Sequence, residues 1–152
     1  MPVLKWVNPM RFVFLNLFLF FWSELVNKVI ISVGSNIEPE KHVSEAKQIL
    51  TQDKLLLDES RFNKTLPRGY INQPAFLNGA FFIHTSLEIQ ELKKYLKTVE
   101  NQLGRIRTFN KNGPRTIDLD IVLFNNDVVD LDYYKYDFVK VAVDEILSRQ
   151  NR

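Results

Sequence analysis

Two acidic residues lie two positions apart in the apolar stretch GPRTIDLDI, which covers residues 113–121. Side chains alternate along a strand, so Asp118 and Asp120 share one face, with their Cα atoms about 7 Å apart. That spacing suits two Mg²⁺ ions bridged by substrate phosphates, because Mg²⁺ takes one or two protein carboxylates and completes its shell with water and phosphate oxygens. Acids also solvate open sheet faces, and a lone D-x-D pair does not separate the two interpretations.

A basic stretch, RIRTFNKNGPR, comes just before the acids and contributes Arg105, Arg107, Lys111 and Arg115. A guanidinium group binds phosphate through two parallel hydrogen bonds and keeps its charge. Cations beside two acids predict a nucleotide-triphosphate site, because metal and guanidinium together offset the charge that shifts during phosphoryl transfer. The alternative is a solvated basic loop.

A third element of the candidate site is the stretch FLN at residues 76–78. In a strand, Phe76 and Asn78 share a face. An aromatic ring beside an amide suits a flat heterocycle, which stacks on the ring while the amide bonds its edge. A partly buried core aromatic beside a turn-forming asparagine is the alternative.

The elements that position these residues follow the order β-α-β-β-α-β. This order predicts an α+β, ferredoxin-like fold, with an antiparallel sheet, both helices on one face, and the other face free for a site. Thr85 with Glu88 predicts a capping box that opens the second helix. Ile117, Leu119, Ile121 and Leu123 are expected to face the helices. The predicted strands are 29–33, 55–63, 76–84 and 116–124, the helices follow Pro39 and Thr85, and an exposed loop covers 64–75.

Composition excludes several classes of site. The chain of 152 residues has a net charge of +2, which gives no global case for nucleic acid or membrane binding. It has no cysteine and only two histidines, so a thiolate or histidine metal site is not expected, and any metal would be a hard ion held by carboxylates. We expect no nucleic acid or membrane partner, a monomer and a cytoplasmic location.

The N-terminus carries the apolar run FVFLNLFLFFW at residues 12–22. Three interpretations stay open: a membrane or export segment, an added helix packed on the domain, or a stretch upstream of the functional start. The expected organisation is an N-terminal extension over 1–27, one domain over 28–147 and a tail over 148–152.

Four collinear runs resemble a known family. They are GSN at 34–36, NQPAFLN at 72–78, ENQLGRIR at 100–107 and GPRTIDLDI at 113–121. Together they look like the motifs of 6-hydroxymethyl-7,8-dihydropterin pyrophosphokinase, a folate-biosynthesis enzyme with a ferredoxin-like fold. The resemblance implies transfer of pyrophosphate from ATP, the co-substrate, to the hydroxymethyl group of a reduced pterin, with two Mg²⁺ ions.

The resemblance also implies roles for individual residues. Asp118 and Asp120 would hold both metals, and Arg105 and Arg115 would contact the transferring phosphates; these four form the implied catalytic set. The implied ATP contacts are Glu100, Arg107, Arg115 and Ile121, and the implied pterin contacts are Thr65 and Leu66 through their backbone, Phe76, Asn78 and Phe138.

The chain departs from the family pattern after the last strand. Residues 130–139 read DLDYYKYDFV, without the family's His-Pro or the arginine before an aromatic, and Asn112 stands where the family has tryptophan. Losing two or three charge-assisted contacts, at roughly 1.5–3 kcal/mol each, would weaken nucleotide binding. We therefore expect an active pyrophosphokinase with full or impaired nucleotide binding. The alternatives are a non-catalytic homologue that binds pterin or nucleotide, and an RNA-binding module with Phe76 and Phe82 as stacking platforms.

Overall fold

The computed structural model of the chain describes residues 26–152. Its strands form one sheet in the order β2-β4-β1-β5-β6, with β3 also paired to β4, and every pairing is antiparallel. The predicted run 12–22 lies outside the described residues, and no helix within 26–152 is long and apolar enough to cross a membrane. The elements are β1 (Asn27–Ser35), α1 (Pro39–Gln52), β2 (Leu56–Glu59), β3 (Asn63–Thr65), β4 (Phe76–Thr85), α2 (Ile89–Gln102), β5 (Asp118–Phe124), β6 (Asp127–Val128), α3 (Asp132–Lys135) and α4 (Asp137–Gln150).

The main core lies between the sheet and helices α1 and α2. Alternate residues of β1 point into it, as the β-branched run at 29–33 predicts, and α2 contributes residues at helical spacing. This arrangement confirms the α+β, ferredoxin-like prediction with both of its helices on one face of an antiparallel sheet. The buried residues that carry this core include Val29, Ile31, Val33, Ala46, Leu50, Phe81, Ile83, Leu92, Leu96, Val99, Ile117 and Leu119.

A helix that the sequence-based prediction does not contain, α4, covers part of the opposite face. Its buried residues Val139, Ala142, Val143 and Ile146 recur at helical spacing. They pack on the sheet residues Ile30, Ala80, Phe82 and Val122. Phe82 is only 6% exposed there, so it is not the stacking platform that the RNA-binding alternative requires. The part of this face that α4 leaves open lies beside the helix N-terminus.

The prediction that Leu123 faces α1 and α2 is wrong, because β5 contains a bulge. Ile30 pairs with Leu123 and Ile31 pairs with Ile121, so Val122 is an extra residue on that strand. The alternation therefore changes after Ile121, because a bulge places two residues opposite one. Leu123 packs on the α4 side instead of facing α1 and α2.

Three boundaries also differ from the prediction. The strand predicted over 55–63 is divided into β2 and β3, because Ser60 pairs with Ala80 through its backbone and its hydroxyl group at the break. The capping box is formed by Glu88 and Glu91, and not by Thr85, whose hydroxyl accepts from the Leu87 amide at 3.1 Å. Strand β5 begins at Asp118, two residues later than predicted.

Candidate active site

A cavity of about 200 Å³ lies on the open part of the sheet face, next to the N-terminus of α4. Strands β1, β4 and β5 form its floor, and the loop after β3 and the segment 136–139 form its walls. It brings together eight of the residues that the sequence singled out: Thr65, Leu66, Phe76, Asn78, Arg115, Asp118, Asp120 and Phe138.

Asp118 holds two arginines at the cavity. One carboxylate oxygen lies 3.2 Å from Arg105 Nη1 and the other lies 2.5 Å from Arg115 Nη1. Both guanidinium side chains are largely buried, at 12% and 15% exposed. Arg105 also donates to the Ile117 carbonyl at 2.8 Å, so it contacts the acid from behind without lining the cavity. These ion pairs hold the two guanidinium groups beside β5, the strand that carries Asp118 and Asp120.

Asp120 is in a different electrostatic state from its neighbour. Its side chain is 47% exposed, and its ion-pair partner is Lys97, at 3.7 Å. Desolvation by the surrounding walls and the negative charge of Asp118 raise the pKa of Asp120 from 3.8 to about 6, against the opposing charge of Lys97. The positive charge of Lys97 therefore does not fully offset the burial of the Asp120 carboxylate and the negative charge of Asp118.

The acid pair fits a hard cation that brings other ligands with it. Within residues 26–152, no three acidic, histidine or cysteine side chains converge as a closed metal cage. Mg²⁺ does not need one, since it keeps several waters and takes phosphate oxygens as ligands. Asp118 and Asp120 both line the cavity, and the raised pKa of Asp120 reflects a carboxylate that a cation would stabilise.

The opposite side of the cavity offers aromatic faces and an amide. The Phe76 ring carries the Arg115 guanidinium at 5.5 Å from its centroid. Asn78 donates from its amide nitrogen to the Thr65 hydroxyl at 2.6 Å, which fixes the direction of its side chain. Gly34 permits that position, since a Cβ there would lie 2.9 Å from Asn78 Oδ1. A flat ring could stack here while an oriented amide reads its edge.

Glu100 lies behind the acid strand, with no exposed side-chain surface. Its carboxylate accepts from the Leu119 amide at 2.8 Å, from Lys97 at 2.9 Å and from Arg107 at 2.6 Å. Because these bonds use the carboxylate, the structure gives Glu100 the role of joining α2, β5 and the basic loop. Arg107 is 48% exposed beside it.

A second cavity, of about 310 Å³, adjoins the first and shares Asp120 with it. Ile121 lines this cavity, although only 5% of the residue is exposed. Its other lining residues are Lys93, Leu96, Lys97, Leu119, Val129 and Asp130. Asp120 therefore stands between two adjacent spaces.

The lining residues that sequence reasoning missed include four with polar side chains: Arg68, Asn112 as a lining residue, Asp132 and Tyr136. Tyr136 and Phe138 stack with centroids 5.4 Å apart and planes 14° apart. The aromatic spacing Tyr136-Asp137-Phe138 just before an apolar helical pattern was the available signal for this pair. No local pattern relates Arg68 to it.

Asn36 connects the segments around the cavity. Its amide nitrogen donates to the Gln73 side chain at 3.0 Å and to the Pro74 carbonyl at 3.1 Å, and its amide oxygen accepts from the Arg115 backbone at 2.8 Å. Gln73 in turn donates to the carbonyls of Tyr70 and Asn112, both at 2.6 Å. The loop before β4 and the basic loop before β5 are thus held to the end of β1.

Comparison with known proteins agrees with this arrangement. The model of the family described as 7,8-dihydro-6-hydroxymethylpterin-pyrophosphokinase (HPPK) matches residues 30–148. The chain belongs to the HPPK family. The match includes α4 through Ser148, so the helix that packs on this sheet face is part of the HPPK region.

Several HPPK relatives are similar over most of this chain. The 2-amino-4-hydroxy-6-hydroxymethyldihydropteridine pyrophosphokinase of Bacillus subtilis is 40% identical over 107 residues, which are 68% of this chain and 64% of the relative. The enzyme of the same name from Haemophilus influenzae is 33% identical over 129 residues, 78% of this chain and 80% of the relative. The folic acid synthesis protein FOL1 of Dictyostelium discoideum is 30% identical, and this chain spans only 20% of its length.

Proposed function

We propose that this chain transfers the diphosphate group of ATP to the hydroxymethyl group of 6-hydroxymethyl-7,8-dihydropterin, with AMP as the second product. The observation that supports this most directly is that one cavity is lined by the acid pair, by Arg115, which is ion-paired to Asp118, and by two aromatic rings beside the Asn78 amide. This combination suits a reaction between a metal-bound polyphosphate and a flat ring.

The proposed pterin position is the slot between Phe76 and Phe138. Asn78 would bond the ring edge, and the backbone of Thr65 and Leu66 would contact the same edge. Both residues line the cavity beside Asn78. Stacking and edge bonding hold the hydroxymethyl group toward the acid strand, which supplies the positioning that an in-line displacement needs.

The proposed nucleotide position is the second cavity, with the polyphosphate crossing Asp120 into the first. Ile121 and Lys97 line that space, and Glu100 and Arg107 lie next to it. Asp118 and Asp120 would hold the two Mg²⁺ ions, which when bound neutralise phosphate charge and orient the group in transfer. Arg115 would then contact phosphate oxygens near Asp118, and Arg105, which does not line the cavity, would act on them through its ion pair with Asp118.

The reaction balances without a covalent enzyme intermediate. The substrate hydroxyl oxygen forms a bond to the β-phosphorus of ATP, the bond from that phosphorus to the α–β bridging oxygen breaks, and AMP leaves with that oxygen. The hydroxyl proton passes to solvent or to a phosphate oxygen. Because negative charge moves onto AMP, fixed guanidinium groups contribute more in the transition state than in the ground state.

The test is AMP formation from ATP and the reduced pterin, with and without Mg²⁺. Asp118→Ala and Asp120→Ala are expected to reduce the rate at least a hundredfold, a loss typical of removing one electrostatic stabiliser. Asp127→Ala, which removes an exposed acid of β6, is the matched control and should behave like the parent chain. Unchanged turnover in both test variants would refute the proposed roles of these acids.

Calorimetry separates this proposal from the non-catalytic alternative. Pterin binding without AMP formation at saturating ATP and Mg²⁺ would make the chain a binding homologue with an impaired nucleotide side. RNA binding with a steep dependence on salt would instead favour the RNA-binding alternative.

The proposed working state is a monomer in the cytoplasm. ATP, the proposed donor, is a cytoplasmic metabolite. Size-exclusion chromatography with light scattering measures the oligomeric state, and a stable dimer would overturn the first part of this statement.

A further inference from the structure

Arg68 projects from the loop after β3 onto the aromatic pair at the start of α4. Its guanidinium carbon lies 5.0 Å from the Tyr136 ring centroid and 5.7 Å from the Phe138 centroid. The two rings stack on each other, and the cation lies within about 6 Å of both. Arg68 is exposed and lines the same cavity as Asp118 and Phe76.

The two arginines of the cavity differ in how they are used. Arg115 is committed to Asp118 and to the carbonyls of Gly113 and Lys111. Arg68 is not committed in this way, since no carboxylate within residues 26–152 lies within 4.0 Å of its nitrogen atoms. Among the described residues its hydrogen-bonding edge therefore has no acidic partner and is open to an anion that enters the cavity.

We propose that Arg68 is a further binding residue for the diphosphate group, either on the incoming nucleotide or on the pterin product. This inference rests on the proposed function and names a contact that the acid pair and the basic loop do not supply. A guanidinium group presents parallel N–H donors to phosphate oxygens. Stacking on Tyr136 and Phe138 restricts the side chain before the ligand arrives, which reduces the entropy lost on binding.

The position also suits the reaction. Phe138 is one proposed face of the pterin slot, so a cation resting on its ring lies near the point where the ring substituent receives the diphosphate. Arg115 lines the cavity beside Asp118, whereas Arg68 lines it beside Tyr136 and Phe138. The diphosphate group would then be contacted by a second cation of the cavity besides Arg115.

If Arg68 had a different role, its removal would change ligand binding in the opposite direction. If Arg68 only covers the aromatic pair, the pterin must displace it, and its removal would improve pterin binding. If Arg68 binds diphosphate, its removal weakens diphosphate and nucleotide binding instead.

The experiment measures binding of inorganic diphosphate, and of a non-hydrolysable ATP analogue, in the presence of Mg²⁺ by calorimetry. The variants are Arg68→Ala and Arg68→Lys. The matched control is Arg61→Ala, which removes the same charge from a side chain that is 85% exposed and lies outside the cavity. Each variant is first compared with the parent chain by circular dichroism.

The expected result is that Arg68→Ala weakens diphosphate binding about tenfold to a hundredfold, the loss of one charge-assisted contact. Arg68→Lys should recover part of it, since lysine keeps the charge but not the fork. Equal affinities for Arg68→Ala and Arg61→Ala would overturn the inference, as would tighter pterin binding with unchanged diphosphate binding. A parent chain that binds no Mg²⁺-diphosphate would overturn it too.

The same experiment keeps the two proposals apart. If the parent chain forms AMP and Arg68→Ala matches Arg61→Ala, the role of Arg68 is refuted and the proposed function stands. If the parent chain forms no AMP yet binds diphosphate through Arg68, the proposed function fails and the role of Arg68 as an anion-binding residue stands.

Discussion

Replacing Asp120 by asparagine is expected to stabilise the metal-free protein at neutral pH. The pKa of Asp120 is raised from 3.8 to about 6, so folding favours its protonated form and penalises the carboxylate. For a group shielded from water this rise corresponds to about 3 kcal/mol. Because the Asp120 side chain is 47% exposed, screening reduces the penalty to about 1 kcal/mol.

Asp118→Asn is the matched comparison, and its expected effect has the opposite sign. Asp118 pairs with two largely buried arginines, and the neutral amide would leave both without a charged partner. The expected cost is about 2 kcal/mol, the contribution of a hydrogen bond to a charged group. Two similar substitutions, two residues apart on one strand, should therefore shift stability in opposite directions.

The assay is thermal unfolding in a metal chelator, followed by circular dichroism. At pH 7.5, Asp120→Asn should raise Tm by about 2–4 °C for a chain of this length. A raised pKa imposes its penalty above about pH 6, and the penalty disappears as the pH falls toward 4, so the advantage of the variant should shrink at pH 4.5. A lower Tm for Asp120→Asn at pH 7.5, or the same sign for both variants, would refute the electrostatic reasoning.

Three further predictions concern other parts of the chain. Gly34→Ala places a methyl group 2.9 Å from Asn78 Oδ1 and should weaken pterin binding about tenfold in a fluorescence titration; an unchanged affinity would contradict the role of that amide. Ile146→Ala, at a fully buried position under the sheet, should cost about 2–5 kcal/mol in urea unfolding, and a cost below about 1 kcal/mol would show that α4 contributes little. The pKa of Asp58 is lowered, because burial, which raises it, is outweighed by the hydrogen bonds from Arg149. This carboxylate therefore stabilises the fold above pH 3.8, and its contribution is lost as the pH falls further. Asp58→Asn should accordingly make the free energy of unfolding depend less on pH below 3.8.

The sequence predicts the sheet and the acid pair well because both depend on local alternation. A shift of one residue would turn the apolar side chains of β1 and β4 out of the core, so their register has one stable choice. The same alternation puts both acids of the D-x-D motif in β5 on one face. Asp118 and Asp120 consequently lie together at the cavity, where their spacing puts them.

Other features depend on contacts that a local pattern does not contain. The bulge at Val122 changes the face of Leu123, and one extra residue leaves no mark in an uninterrupted apolar run. In α4, Val139, Val141 and Val143 also alternate with a strand-like period, which competes with the helical spacing of its buried residues. Arg68 meets Tyr136 across the fold, so no window of sequence shows the pair.

The side-chain amide of Asn36 has a consequence for how ligands would influence one another. A single residue donates to one loop and accepts from the next, and Gln73 adds a second cross-connection between them. A displacement of either loop would therefore disturb the other, and a molecule that orders the loop on the proposed pterin side would lower the cost of ordering the basic loop on the proposed phosphate side. If the two ligands enhance each other's affinity, the asparagine just after the first strand would carry part of that coupling.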